Sequence, residues 1–90
     1  MLIQPVEPLF VVIKIAQEDY MGQMLSLSDS ELELKCSHYF EKDTLVTFQG
    51  KYFRGHASIQ EITHAKLHFI YHMNIEEIQF QPGLLINTRL

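Results

Sequence analysis

Apolar and polar residues alternate with a period of two along most of this chain, the signature of extended strands rather than helices. The clearest stretch is residues 64–73. There Ala65, Leu67, Phe69, Tyr71 and Met73 fall on one face, and His64, Lys66, His68, Ile70 and His72 on the other. Leu32, Leu34 and Cys36 alternate with Glu31, Glu33 and Lys35, and Phe53, Ala57 and Ile59 alternate with Arg54, His56, Ser58 and Gln60. Each pattern predicts a half-buried strand. Residues 9–16 form a denser β-branched run, which predicts a strand covered on much of both faces.

Short polar breaks separate these runs. Glu18-Asp19 divides the first strand from a second over residues 21–27, and Ser28-Asp29-Ser30 supplies side chains that hydrogen-bond locally to the backbone. Glu41-Lys42-Asp43 precedes a strand at 44–49, Gly50-Lys51 suits a positive-φ hairpin turn, and Pro82-Gly83 marks a last turn before a strand at 84–87. Residues 74–80 read as a short helical turn, with Asn74 as N-cap and Ile75 and Ile78 on one side. Six or seven short strands in meander order give an all-β antiparallel barrel or small sandwich. If Thr63 centres the hairpin between 53–62 and 64–73, Ala57 faces Phe69, Ile59 faces Leu67 and Gly55 lies opposite Tyr71. Arg54, His56, Ser58, His68 and His72 then share the outer face, which makes Arg54, His56, His68 and His72 the candidate interaction face.

Ninety residues, 47% hydrophobic and 20% charged, with no repeat or linker-like stretch, make a single domain over residues 1–90. So small a core leaves a thin stability margin, a motive for pairing with a protein partner or a second copy. The net charge of −4 gives no electrostatic footprint for nucleic acid or an anionic membrane. The one cysteine, Cys36, rules out an internal disulfide and favours a reducing, cytoplasmic setting. No apolar run approaches the roughly 20 residues of a membrane helix, and the opening MLIQPVEP does not read as a signal peptide.

Chemistry-bearing patterns are few. His64, His68 and His72 recur every four residues, which on a helix would stack them as a metal face. On a strand the same spacing spans about 13 Å per interval, beyond one ion's ligand sphere, so no metal is expected. Cys36 runs in phase with Leu32 and Leu34 and reads as core, and no nucleophile elbow or Gly-rich phosphate loop occurs. No catalytic residue emerges, and an enzyme is not expected. Tyr20, Tyr39 and Tyr52 are candidate outward aromatics for stacking bases, the feature behind a nucleic-acid-binding alternative that the charge opposes.

The segments MGQMLSLSDSELEL, FEKDTLVTFQ, YFRGHASIQEI and HAKLHFIYHM, in that order, resemble a PilZ domain over about Pro8 to Met73. The resemblance implies a six-stranded antiparallel barrel, usually with a C-terminal helix, and a bacterial setting in which many members bind cyclic di-GMP. Ser28 matches the central serine of that family's [D/N]-x-S-x-x-G segment, which runs here from Ser26 to Glu31. The first position is Ser26 and the glycine position is Glu31. The family's R-x-x-x-R would precede the first strand, and no arginine occurs before Arg54. Such arginines hold phosphates by charge-assisted forks. The resemblance, with these departures, implies a non-enzymatic regulatory or adaptor domain. It would act through protein contacts in cyclic di-GMP signalling, motility or pilus control, with no cofactor bound in the usual way. The alternative is a cyclic di-GMP receptor with an altered site.

Overall fold

A computed structural model describes residues 2–80, which form seven strands and no helix. They are β1 (Leu2–Ile3), β2 (Phe10–Ile15), β3 (Glu18–Ser28), β4 (Glu31–Cys36), β5 (Leu45–Gln49), β6 (Phe53–His64) and β7 (Phe69–Phe80). Every pairing is antiparallel, and the ring β2-β3-β4-β7-β6-β5 closes where β5 pairs back onto β2. The expected six-stranded barrel is therefore present. Short β1 adds to it by pairing Leu2 and Ile3 with Ser28 and Leu27 of β3. No helix among the described residues is long and apolar enough to cross a membrane.

Closure turns the period-two pattern into an inside and an outside. Val11 and Ile13 of β2, Leu32, Leu34 and Cys36 of β4, Val46 and Phe48 of β5, and Tyr71 and Met73 of β7 are buried in the interior. Burial of each large apolar side chain contributes roughly 1.5–3 kcal/mol, so this packed interior is the main driving force for folding. Among the described residues no polar or charged side chain is buried with it.

The loop 37–44 crosses one end of the barrel, because β4 and β5 are separated in the ring by β7 and β6. Tyr71 fastens it. Its hydroxyl donates to the His38 carbonyl at 2.7 Å and accepts the Phe40 backbone N–H at 2.8 Å. Phe40 is thereby seated as a buried stopper, its ring 5.4 Å from that of Tyr71 and 4.9 Å from that of Tyr20. Burial raises the Tyr71 pKa above its ordinary value, and the hydrogen bond from Phe40 opposes that rise only in part.

Several local expectations are corrected. Residues 74–80 are not a helical turn; they continue β7. Ala57 pairs with Ile75 and His56 with Glu77, so Glu76 is an extra residue in a bulge. The bulge puts Ile75 and Ile78, three apart, on the same inward face, which mimics helical spacing. The β6–β7 register also differs, because the turn lies at residues 65–68, closed by Ala65 N–H to the His68 carbonyl at 3.0 Å. Ile59 therefore faces Met73, His64 faces Phe69, and Gly55 lies opposite Ile78. Leu67, at the tip of this turn, is exposed rather than in the core.

The β2–β3 turn is made by Ala16 and Gln17, both in the left-handed region at φ 51° and 70°, and Glu18 already belongs to β3. At Gly50 the expected turn forms without a left-handed φ. A side chain there would strike the Phe53 ring, 2.8 Å from the position of a Cβ. The turn at Pro82-Gly83 and the strand at 84–87 lie outside the described residues.

Candidate interaction surface

The outer wall of the barrel is organised by register. One row of outward residues runs Met21, Val12, Gln49, Arg54 and Gln79, each paired with the next across adjacent strands. A second row, two residues along, runs Asp19, Lys14, Thr47, His56 and Glu77. Arg54 and His56 of the expected face thus stand side by side on β6. The Arg54 Nε donates to Gln79 Oε1 at 3.4 Å, and the His56 Nδ1 lies 3.4 Å from Thr47 Oγ1. Around them a shallow groove of about 350 Å³ is lined by Thr47, Gln49, Arg54, His56, Glu77 and Gln79.

His68 and His72 are not part of this group. His72 pairs in register with Glu61, five residues beyond His56 along β6, a separation of about 16 Å. Its Nε2 instead meets Glu33 Oε2 of β4 at 2.7 Å. His68 sits in the β6–β7 turn, and the ring of His64 packs edge-on to Phe69 at 5.2 Å. The four-residue histidine spacing is dispersed over a strand end, a turn and a strand. Among the described residues no group of three His, Cys, Asp or Glu side chains is placed to hold a metal ion.

The Ser26–Glu31 segment spans the β3–β4 turn, from the end of β3 to the first residue of β4. Ser28 Oγ accepts the backbone N–H of Ser30 at 3.3 Å and of Glu31 at 3.0 Å, so its hydroxyl shapes the hairpin. Ser26 pairs with Glu33 just after a register shift, and Glu31 pairs with Asn74. Cys36 is buried, with its Sγ 3.5 Å from the Met21 carbonyl, which matches the core reading. The three tyrosines are engaged separately. Tyr20 donates to Glu18 Oε2 at 2.7 Å, Tyr39 packs on Phe69 at 5.4 Å, and Lys51 Nζ lies 5.5 Å from the Tyr52 ring. The bond to Glu18 is the main reason the Tyr20 pKa is raised, followed by burial and the Glu18 charge.

What sequence reasoning misses is apolar. Phe10, Val12 and Met21 point outward and are 55%, 37% and 59% exposed. Val12 pairs with Met21, and Phe10 stands two residues from Val12 on the same side, so the three form one contiguous patch. The dense run at residues 9–16 carries the signal, but density alone predicts a strand covered on both sides. Only the inner face is covered, by Val11 and Ile13. Contiguous exposed apolar side chains on a small domain are a candidate contact surface. Through Gln49 this patch runs directly into the groove at Arg54. No protein-family model matches the chain, and no curated protein matches it.

Proposed function

We propose that this barrel is a non-enzymatic, PilZ-like regulatory or adaptor module of a bacterial cytoplasm. It acts by contact with another protein, in cyclic di-GMP signalling or in motility or pilus control. The observation that carries this reading is the apolar patch of Phe10, Val12 and Met21 beside the groove at Arg54 and His56. An apolar centre flanked by an arginine is the composition of a protein-contact site. The resemblance to a PilZ domain agrees with the six-stranded closed barrel. Ordinary nucleotide capture is disfavoured because the Ser28 hydroxyl is engaged in its own turn and Glu31 brings negative charge beside it.

The test pairs affinity capture from the native source with calorimetric titration of cyclic di-GMP. We expect the wild-type chain to retain a specific protein, and a Val12→Asp, Arg54→Ala double variant with an unchanged circular dichroism spectrum to lose it. Equal capture by both proteins would defeat the assigned surface. Micromolar binding of cyclic di-GMP that disappears on Ser28→Ala or Arg54→Ala would replace this reading with that of an altered-site receptor.

A further inference from the structure

Two of the three outward pairs of the β2–β3 hairpin are complementary, the third being Phe10 with Gln23. Val12 pairs with Met21, and Lys14 with Asp19. Consider a two-fold axis lying outside the barrel, above the midline between the two strands and parallel to them, with two barrels packed face to face. Rotation about it exchanges the strands while leaving each position at its own height. Val12 then faces the partner's Met21, Lys14 faces the partner's Asp19, and both contacts recur reciprocally, as an isologous interface requires. Strands of the two sheets run aligned, a common geometry for sheet-on-sheet packing.

Charge supports the same pairing. Within one chain, Lys14 Nζ and Asp19 Oδ1 are 3.9 Å apart, with more than half of each side chain exposed. A pair this loose and solvated contributes little where it is, so both groups are free to take opposite partners across an interface. The hairpin carries no register shift over its six residue pairs, which keeps the outward rows straight enough to interleave.

Resting on the reading of this wall as a protein-contact surface, we infer that the occupant of its β2–β3 part is a second copy of this chain, while the groove at Arg54 stays open. The contact is small, so the dimer is weak and concentration-dependent.

Sedimentation equilibrium or light scattering, run from about 1 μM to about 1 mM, measures this directly. Wild-type protein is expected to shift from one chain to two across that range. Lys14→Asp gives two acidic residues at these positions and Asp19→Lys two basic ones, so each variant alone repels its own copy. Each should dimerise at least about ten-fold more weakly than wild type. An equimolar mixture of the two variants restores both charge pairs and is expected to recover the two-chain mass. That recovery has no explanation within a single chain. A wild-type protein that stays monomeric, a dimer insensitive to both substitutions, or a mixture no heavier than its components each overturns the inference. If wild type stays monomeric yet captures a partner through Val12 and Arg54, the second-copy assignment fails and the protein-contact reading stands. If it dimerises and captures nothing, the reverse holds.

Discussion

The β2–β3 and β6–β7 hairpins serve the same barrel by opposite means. In β2–β3, six residue pairs run without interruption from a two-residue turn, and the outward side chains include Phe10, Val12 and Met21. In β6–β7, eleven pairs are interrupted by two register shifts, the turn is longer, and the outward side chains are Arg54, His56, Glu77 and Gln79. The outer face of the regular hairpin joins an apolar patch to the Lys14–Asp19 pair, whereas these outward residues of the irregular one are all polar. Bulges bend and twist a strand, and here they let the longer hairpin curve around the interior. The β2–β3 hairpin carries no such shift over its six pairs.

The glycine in each hairpin tests this contrast most severely. Gly55 of β6 sits beside the Glu76 bulge, where a Cβ would overlap the Glu77 carbonyl and stand 2.8 Å from the Phe48 ring. The obstacle is strand backbone, which has nowhere to move. Gly55→Ala is expected to destabilise by about 3 kcal/mol or more, lowering the melting temperature by roughly 10–20 °C. At Gly22 of β3, an added methyl would find the flexible Ile13 Cδ1 as its nearest neighbour, at 3.1 Å. Gly22→Ala should stay within about 1 kcal/mol of wild type, because the lost backbone freedom of glycine offsets a small repacking. Paired thermal melts compare them, and equal losses would mean that the bulge imposes no special constraint.

Tyr71 probes the next largest difference, since this residue of the β6–β7 hairpin hydrogen-bonds the loop across the barrel end, whereas Tyr20 of the β2–β3 hairpin packs against Phe40 through its ring. Tyr71→Phe leaves the His38 carbonyl and the Phe40 N–H without their partner, at a cost of about 1–3 kcal/mol. The variant also changes the response to alkali. Burial raises the Tyr71 pKa in the folded protein, so the folded state holds the phenolic proton more tightly than the unfolded chain. The stability linked to that proton is complete below the unfolded tyrosine pKa of about 10 and is lost as pH rises through the folded value. As pH rises above about 10, wild type should therefore lose stability more steeply than Tyr71→Phe. Denaturant melts at several pH values measure both slopes, and parallel curves would remove Tyr71 as the source.

These contrasts also explain what is legible in the sequence. The interior is legible, because Leu32, Leu34, Cys36, Phe53, Ala57, Ile59, Tyr71 and Met73 keep strict alternation, and closing the barrel needs little else. Register is not, because bulges break the alternation without any distinctive residue. Met24 and Leu27, Ile59 and Ile62, and Ile75 and Ile78 are each three apart, and in each pair a register shift returns both residues to the inner face. In a sequence that spacing is indistinguishable from a helical turn or a strand break. The candidate surface is half legible. Arg54 and His56 stand together because they lie two apart on one strand. His68 and His72 separate from them because the turn falls at residues 65–68. The apolar patch stays hidden because alternating and doubly covered strands differ only in what lies outside them.

The turns themselves supply the finest test. Ala16 and Gln17 both hold a left-handed φ, the conformation in which a two-residue hairpin turn matches the right-handed twist of its strands. Neither residue is the glycine or asparagine that such a turn prefers, so each carries some steric strain from its Cβ. Gln17→Gly relieves that strain while adding freedom to the unfolded chain, and the two effects oppose each other. Relief is the larger at a φ of 70°, so a net gain of about 0.5–1 kcal/mol is expected, seen as a rise of a few degrees in the melting temperature. The β6–β7 turn has no left-handed residue to relieve. There Lys66→Gly adds only unfolded-state freedom and should destabilise by about 0.5–1 kcal/mol. Opposite signs for one kind of substitution would confirm that β2–β3 is held straight by a strained tight turn and β6–β7 by its bulged pairing. A loss at both turns would show instead that the tight turn is not under strain.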